Sequence, residues 1–123
     1  MERHVKLLAN LAMLWGALAM LAGVSLLLLA GGALAQLIDP IGVSVGLAAG
    51  LTAGAFAVLG TFAVGWGGLH VLAGQWLKQR KPAGRLLMLG LAVTNLLVLP
   101  FGTALGIYAM WVLLVNEGRR LFE

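Results

Sequence analysis

Charged and apolar positions separate along this chain on an unusually long scale. Charges stand within residues 2–6, at Asp39, between Lys78 and Arg85, and from Glu117 onward. Between them lie three uncharged blocks, 7–38, 40–77 and 86–116, each at least 31 residues long. About 20 apolar residues are enough to cross the hydrocarbon core of a bilayer. Three such blocks therefore predict at least three membrane-crossing helices.

The first block predicts a helix over about 8–33. Met1–Lys6 before it is too short and mixed to fold alone. A basic start ahead of an apolar run also suits a signal peptide, but that h-region is about 7–15 residues and this uncharged run is 32. An uncleaved first helix is expected. Ala12, Gly16, Ala19 and Gly23 give it a small-residue face, and Trp15 suits packing or a boundary anchor. Gln36-Leu-Ile-Asp39-Pro40 reads as a turn, with Asp39 as N-cap and Pro40 at the first helical position. The second helix should cover 41–65, with a weak point at Gly65-Trp66-Gly67-Gly68 and an interfacial extension to 77. Lys78–Arg85 is a polar loop.

The third block would be about 46 Å long as one helix, too long for one crossing. Pro100-Phe-Gly102-Thr103 lies near its middle, where Pro removes a donor, Gly permits a turn and Thr caps the next helix. The prediction is two helices, 82–99 and 103–117. Gly118 then acts as a C-terminal stop, with Arg119 and Arg120 at the negative end of the helix dipole. With both termini cytoplasmic, Arg3, Lys6, Lys78, Arg80, Lys81, Arg85, Arg119 and Arg120 all fall inside, and the outer side holds only Asp39. All eight basic residues then obey the positive-inside rule. The expected fold is all-α: one integral membrane four-helix bundle of two helical hairpins over residues 1–123, multi-pass in a bacterial cytoplasmic (inner) membrane.

Composition agrees. Hydrophobic residues make up 62% and charged residues 10%, with a mean hydropathy of +1.04. A soluble domain carries about 25% charged residues. There is no cysteine, so no disulfide or thiolate site. The net charge of +4 comes from a few loop residues. It reads as a topology signal, and no nucleic-acid partner is expected.

One stretch stands out inside the second block. Gly42, Gly46, Gly50 and Gly54 recur every fourth residue, flanked by Ala49, Ala53 and Ala57. On a helix such positions share a face, drifting about 40° per step. They form a groove that lets another helix approach to backbone contact in lipid. This seam is the expected packing interface, either between helices of one chain or between copies.

The C-terminal half resembles a group of small, largely uncharacterised bacterial four-helix membrane proteins. The resemblance rests on Gly65-Trp66-Gly67, the basic Pro-containing loop Lys78–Arg85, Pro100-Phe-Gly102-Thr103-Ala-Leu-Gly106-Ile-Tyr108-Ala-Met-Trp111-Val-Leu-Leu, and the Glu117…Leu121-Phe122 ending. It covers roughly 65–122 and is most specific in the last helix. Ala83 follows Pro82 here, where that group more often has a Trp. The resemblance implies four-helix topology and bacterial origin, and no established activity.

Candidate chemistry is sparse. No Asp, Glu, Lys or Arg lies within a predicted span, which argues against a proton-coupled antiporter and a rotary-ring subunit, both of which need intramembrane charge. No nucleophile, base and carboxylate set is present, and no enzymatic activity and no cofactor are expected. His70 is a weak metal candidate, with His4 expected on the same membrane side, since a neutral imidazole ligates haem or pigment metals. Asn95 predicts an interhelical clasp. Alternatively Thr52, Asn95 and Tyr108 mark a polar path. Lys78, Arg80, Lys81 and Arg85 suit anionic lipid headgroups or a cytoplasmic partner. The expected function is a non-enzymatic packing or assembly subunit that self-associates or joins a larger membrane complex through the glycine-rich helix. Second comes a pore or carrier for a small neutral or apolar solute, and third a haem- or pigment-binding membrane subunit.

Overall fold

The structure, a computed structural model, describes residues 1–37, 43–98 and 101–123, without the side chains of 43–45. Every regular element among them is α-helical: α1 Glu2–Ala35, α2 Val43–Lys78, α3 Pro82–Asn95, α4 Phe101–Leu114 and the short α5 Asn116–Arg120. Two of these, α1 and most of α2, are long and apolar enough to cross a membrane. The expected capping by Asp39 and Pro40, and Gly42 of the seam, lie outside the described residues.

Several boundaries differ from expectation. The first helix starts at Glu2, six residues early. Its first turns are held by tertiary partners: Glu2 pairs with Arg80, and His4 meets Tyr108. The second helix runs unbroken through Gly65–Gly68 to Lys78. In an uncharged stretch nothing polar competes for its backbone bonds, so four residues rich in glycine do not end it. The third helix stops at Asn95, short of 99, and the fourth runs from Phe101 to Leu114. Val115 then takes an extended conformation before α5. Gly118, expected as a stop, is buried inside α5 against the Val112 carbonyl, where no side chain fits.

The α2–α3 turn is a Schellman close. Arg80 is left-handed (φ 55°), its N–H donates to the Leu77 carbonyl at 3.0 Å, and the Lys81 N–H donates to the Trp76 carbonyl at 3.0 Å. Glycine is the usual residue there, because a Cβ is disfavoured. Here Arg80 spends its side chain on Glu2. Pro82 opens α3 at its first position, as expected.

The chain forms two compact units, Leu18–Gly67 and Met1–Ala17 with Gly68–Glu123. In the first, α1 and α2 touch backbone to backbone. A Cβ on Gly23 would lie 2.7 Å from the Gly60 carbonyl, and one on Gly60 would lie 2.8 Å from the Gly23 carbonyl. Ala30 and Ala53 are buried in the same unit. In the second unit Gly74 packs on the Ala9 carbonyl in the same manner. The positions follow a heptad: Ala9, Gly16, Gly23 and Ala30 on α1, and Ala53, Gly60, Gly67 and Gly74 on α2, all buried. A seven-residue step drifts only about 20°, so it stays on the seam of a helix pair. The expected four-residue series drifts faster. Of it, Gly46 and Ala53 keep the heptad phase. Gly50 and Gly54 would each meet nothing within 4 Å if given a Cβ.

The second unit also contains the α3–α4 hairpin. A Cβ on Gly102 would lie 2.8 Å from the Asn95 carbonyl, and one on Gly106 would lie 2.7 Å from the Ala92 carbonyl. This four-residue pair lets α3 and α4 meet at their backbones. Leu8, Leu77, Met88, Val112 and Leu113 fill the core of the unit.

Replacing Gly60 or Gly106 by Ala should therefore lower thermal stability by about 1–3 kcal/mol through overpacking. Gly65→Ala, which meets open space, should gain up to about 1 kcal/mol of helix propensity. Thermal melts in detergent, monitored by far-UV circular dichroism, would show the two classes moving in opposite directions.

Candidate functional site

The polar side chains embedded in the apolar unit form two separate pairs, each built on a histidine. Asn95, at the C-terminal end of α3, and His70, in the last third of α2, are both completely buried. The Asn95 Nδ2 donates to His70 Nε2 at 2.8 Å. With Nε2 accepting, the imidazole is neutral and carries its proton on Nδ1. Asn95 Oδ1 is buried without a hydrogen-bond partner, as is Trp15 Nε1. The second pair lies near the N-terminus. His4 Nδ1 is 3.1 Å from the Tyr108 hydroxyl, and its ring meets Trp111 edge-on, with centroids 5.3 Å apart.

These pairs bear on several sequence expectations. The clasp expected of Asn95 is formed with His70. The Nε2 lone pair a metal would use is taken by that amide. Asn95 and Tyr108, grouped with Thr52 as a path, engage different histidines, and Thr52 is exposed on α2. Ser25 and Thr94 spend their hydroxyls on carbonyls of their own helices, four residues back. Among the described residues no three His, Cys, Asp or Glu side chains gather as a metal group.

Charged groups gather at one end of the second unit. Arg80 pairs with Glu2, and Arg85 Nε donates to the Leu113 carbonyl at 3.0 Å, satisfying a last-turn acceptor of α4. Lys81 lies 6.0 Å from the centre of the Trp76 ring, and Gly84 packs α3 against Trp76. The N-terminus, the 78–85 turn and the α4–α5 junction thus adjoin one another. Lys78, Arg80 and Lys81 remain exposed, and Arg85 is half-buried. Of the glycine seam, Gly46 and Gly50 are half-buried and Gly54 is exposed, while Ala49 is half-buried and Ala53 is buried.

Sequence reasoning missed both histidine pairings. A usable signal was present. His70 and Asn95 are isolated polar side chains in separate uncharged blocks, and such groups gain most by finding each other. Scans against protein families, curated proteins and solved structures find no match for this chain.

A double-mutant cycle on His70→Leu and Asn95→Leu should give a coupling of about 0.6–2 kcal/mol, the range of interhelical hydrogen bonds in membranes. Glu2→Gln, which breaks only an exposed ion pair, should cost less than about 1 kcal/mol. Equilibrium unfolding in mixed micelles measures both.

Proposed function

We propose that this chain is a non-enzymatic integral membrane protein of a bacterial cytoplasmic membrane, with both termini inside, that packs against further copies of itself or joins a larger membrane complex. The observation that carries the reading is the outer surface. Large apolar side chains are exposed along both long helices, among them Leu21 (64%), Leu51 (69%), Val58 (70%) and Phe62 (68%), and no charged side chain stands between Lys6 and Ala35 or between Val43 and Leu77. Water would not tolerate so continuous an apolar surface on a monomer. Lipid accepts it, and the charged end then meets the cytoplasmic headgroups, where basic residues are favoured.

The assembly part of the reading rests on Gly50 and Gly54. Intrachain contact uses the heptad positions, so these two remain open for another helix. Polar lining for a solute is scarcer, because Asn95 is closed off by His70. In this reading the four-helix resemblance describes an assembly module, and the 78–85 loop holds it to anionic lipid or a cytoplasmic neighbour.

The test is native mass after gentle extraction. The wild type should run as a defined multiple of the 12.8 kDa chain, and Gly50→Leu and Gly54→Leu should fall to single-chain mass while keeping their helical signal. Unchanged mass in both variants would sink the interface.

A further inference from the structure

We infer that the α3–α4 hairpin enters the membrane from the charged end and turns back inside the hydrocarbon, its apolar tip seated among acyl chains of the cytoplasmic leaflet. The inference rests on the membrane reading above and goes beyond it, because four full crossings are the simpler expectation.

Length is the first ground. Each helix of the hairpin has 14 residues, about 21 Å at 1.5 Å per residue. The hydrocarbon core is about 30 Å thick. By contrast α1 and α2, with 34 and 36 residues, reach about 51 and 54 Å. The turn end of the hairpin is also tied close to the charged end of α2. Asn95, the last residue of α3, bonds to His70, which lies about 12 Å along α2 from Lys78.

The second ground is the chemistry of the tip. A turn that reaches the far interface meets water and carries polar residues, as Gln36 does just beyond α1. Residues 96–102 read Leu-Leu-Val-Leu-Pro-Phe-Gly, with no polar side chain. Leu97 is 82% exposed and Phe101 is 73% exposed. These are among the most exposed large apolar side chains on the protein.

The third ground is the backbone. Irregular backbone at membrane depth is tolerated only where its polar groups are satisfied without water. Here the carbonyls of Ala92, Thr94 and Asn95 accept from the N–H groups of Leu96, Leu97 and Val98 at 2.9–3.1 Å. The Val98 carbonyl accepts from the Thr103 N–H at 2.9 Å, and the Thr103 hydroxyl donates to the Leu96 carbonyl at 2.9 Å. Thr103, expected to cap the helix after it, instead reaches back across the turn to an acceptor that would otherwise face lipid. Pro100 brings no N–H that needs a partner. Among the described residues of the turn, these groups find their partners without water, and Leu97 and Phe101 face outward.

The experiment is cysteine labelling in intact cells and in inverted vesicles. The chain has no cysteine of its own, so single variants Leu97→Cys, Phe101→Cys, Gln36→Cys and Gln79→Cys report without background. With a membrane-impermeant maleimide, Gln36→Cys should react only from outside and Gln79→Cys only from inside. Leu97→Cys and Phe101→Cys should lose labelling from both sides and regain it after denaturation in detergent. Labelling of either tip variant from outside would establish a full crossing and overturn the inference. Labelling of either from inside would place the hairpin in the cytoplasm and overturn it too. If Gln36→Cys and Gln79→Cys react from the same side, the membrane reading itself fails, a result distinct from the other two.

Discussion

Close approach of helices at small residues is the constraint on which the other features of this protein depend. Long apolar helices gain little from burying Leu against Leu when the alternative environment is equally apolar, so packing must come from contact that bulky side chains prevent. The chain achieves this twice with different spacings. Gly23 meets Gly60 and Gly74 meets the Ala9 backbone on a seven-residue repeat, which keeps long helices in phase. Gly102 and Gly106 meet α3 on a four-residue repeat, which is enough for helices of 14 residues. Large residues are left to face outward, and this accounts for the exposed apolar surface.

The same economy governs the polar groups. An unpaired polar atom in an apolar interior costs roughly 1–3 kcal/mol, and the few present are paired off. Asn95 bonds His70, His4 meets Tyr108, Arg85 takes the Leu113 carbonyl, and Thr103 takes the carbonyl of Leu96. Among the described residues the exceptions are Asn95 Oδ1 and Trp15 Nε1. The Asn95–His70, His4–Tyr108 and Arg85–Leu113 bonds each join two different helices.

Much of the architecture was legible in the sequence. Uncharged block lengths marked the helices, Pro82 marked the start of α3, and the Pro100–Gly102 region marked the division between α3 and α4. What was not legible has identifiable causes. Glycine at every fourth residue is conspicuous in a linear reading, yet it rotates off a helix pair's seam. The heptad of Ala9, Gly16, Gly23 and Ala30 is inconspicuous because it mixes alanine with glycine. The helical start at Glu2 depends on partners 78 and 104 residues away, which no local pattern contains. His70 invited a metal reading because its amide partner sits in another block.

The central claim is that the apolar exterior faces acyl chains. The most direct measurement is the accessibility of a spin label placed singly at Leu21, Leu51 and Val58 in a lipid bilayer, read with oxygen, which partitions into hydrocarbon, and with a water-soluble nickel chelate, which does not. The account predicts high oxygen and negligible nickel accessibility at all three sites, against the reverse at Gln79. Nickel accessibility at the three sites equal to that at Gln79 would place these surfaces in water and contradict it.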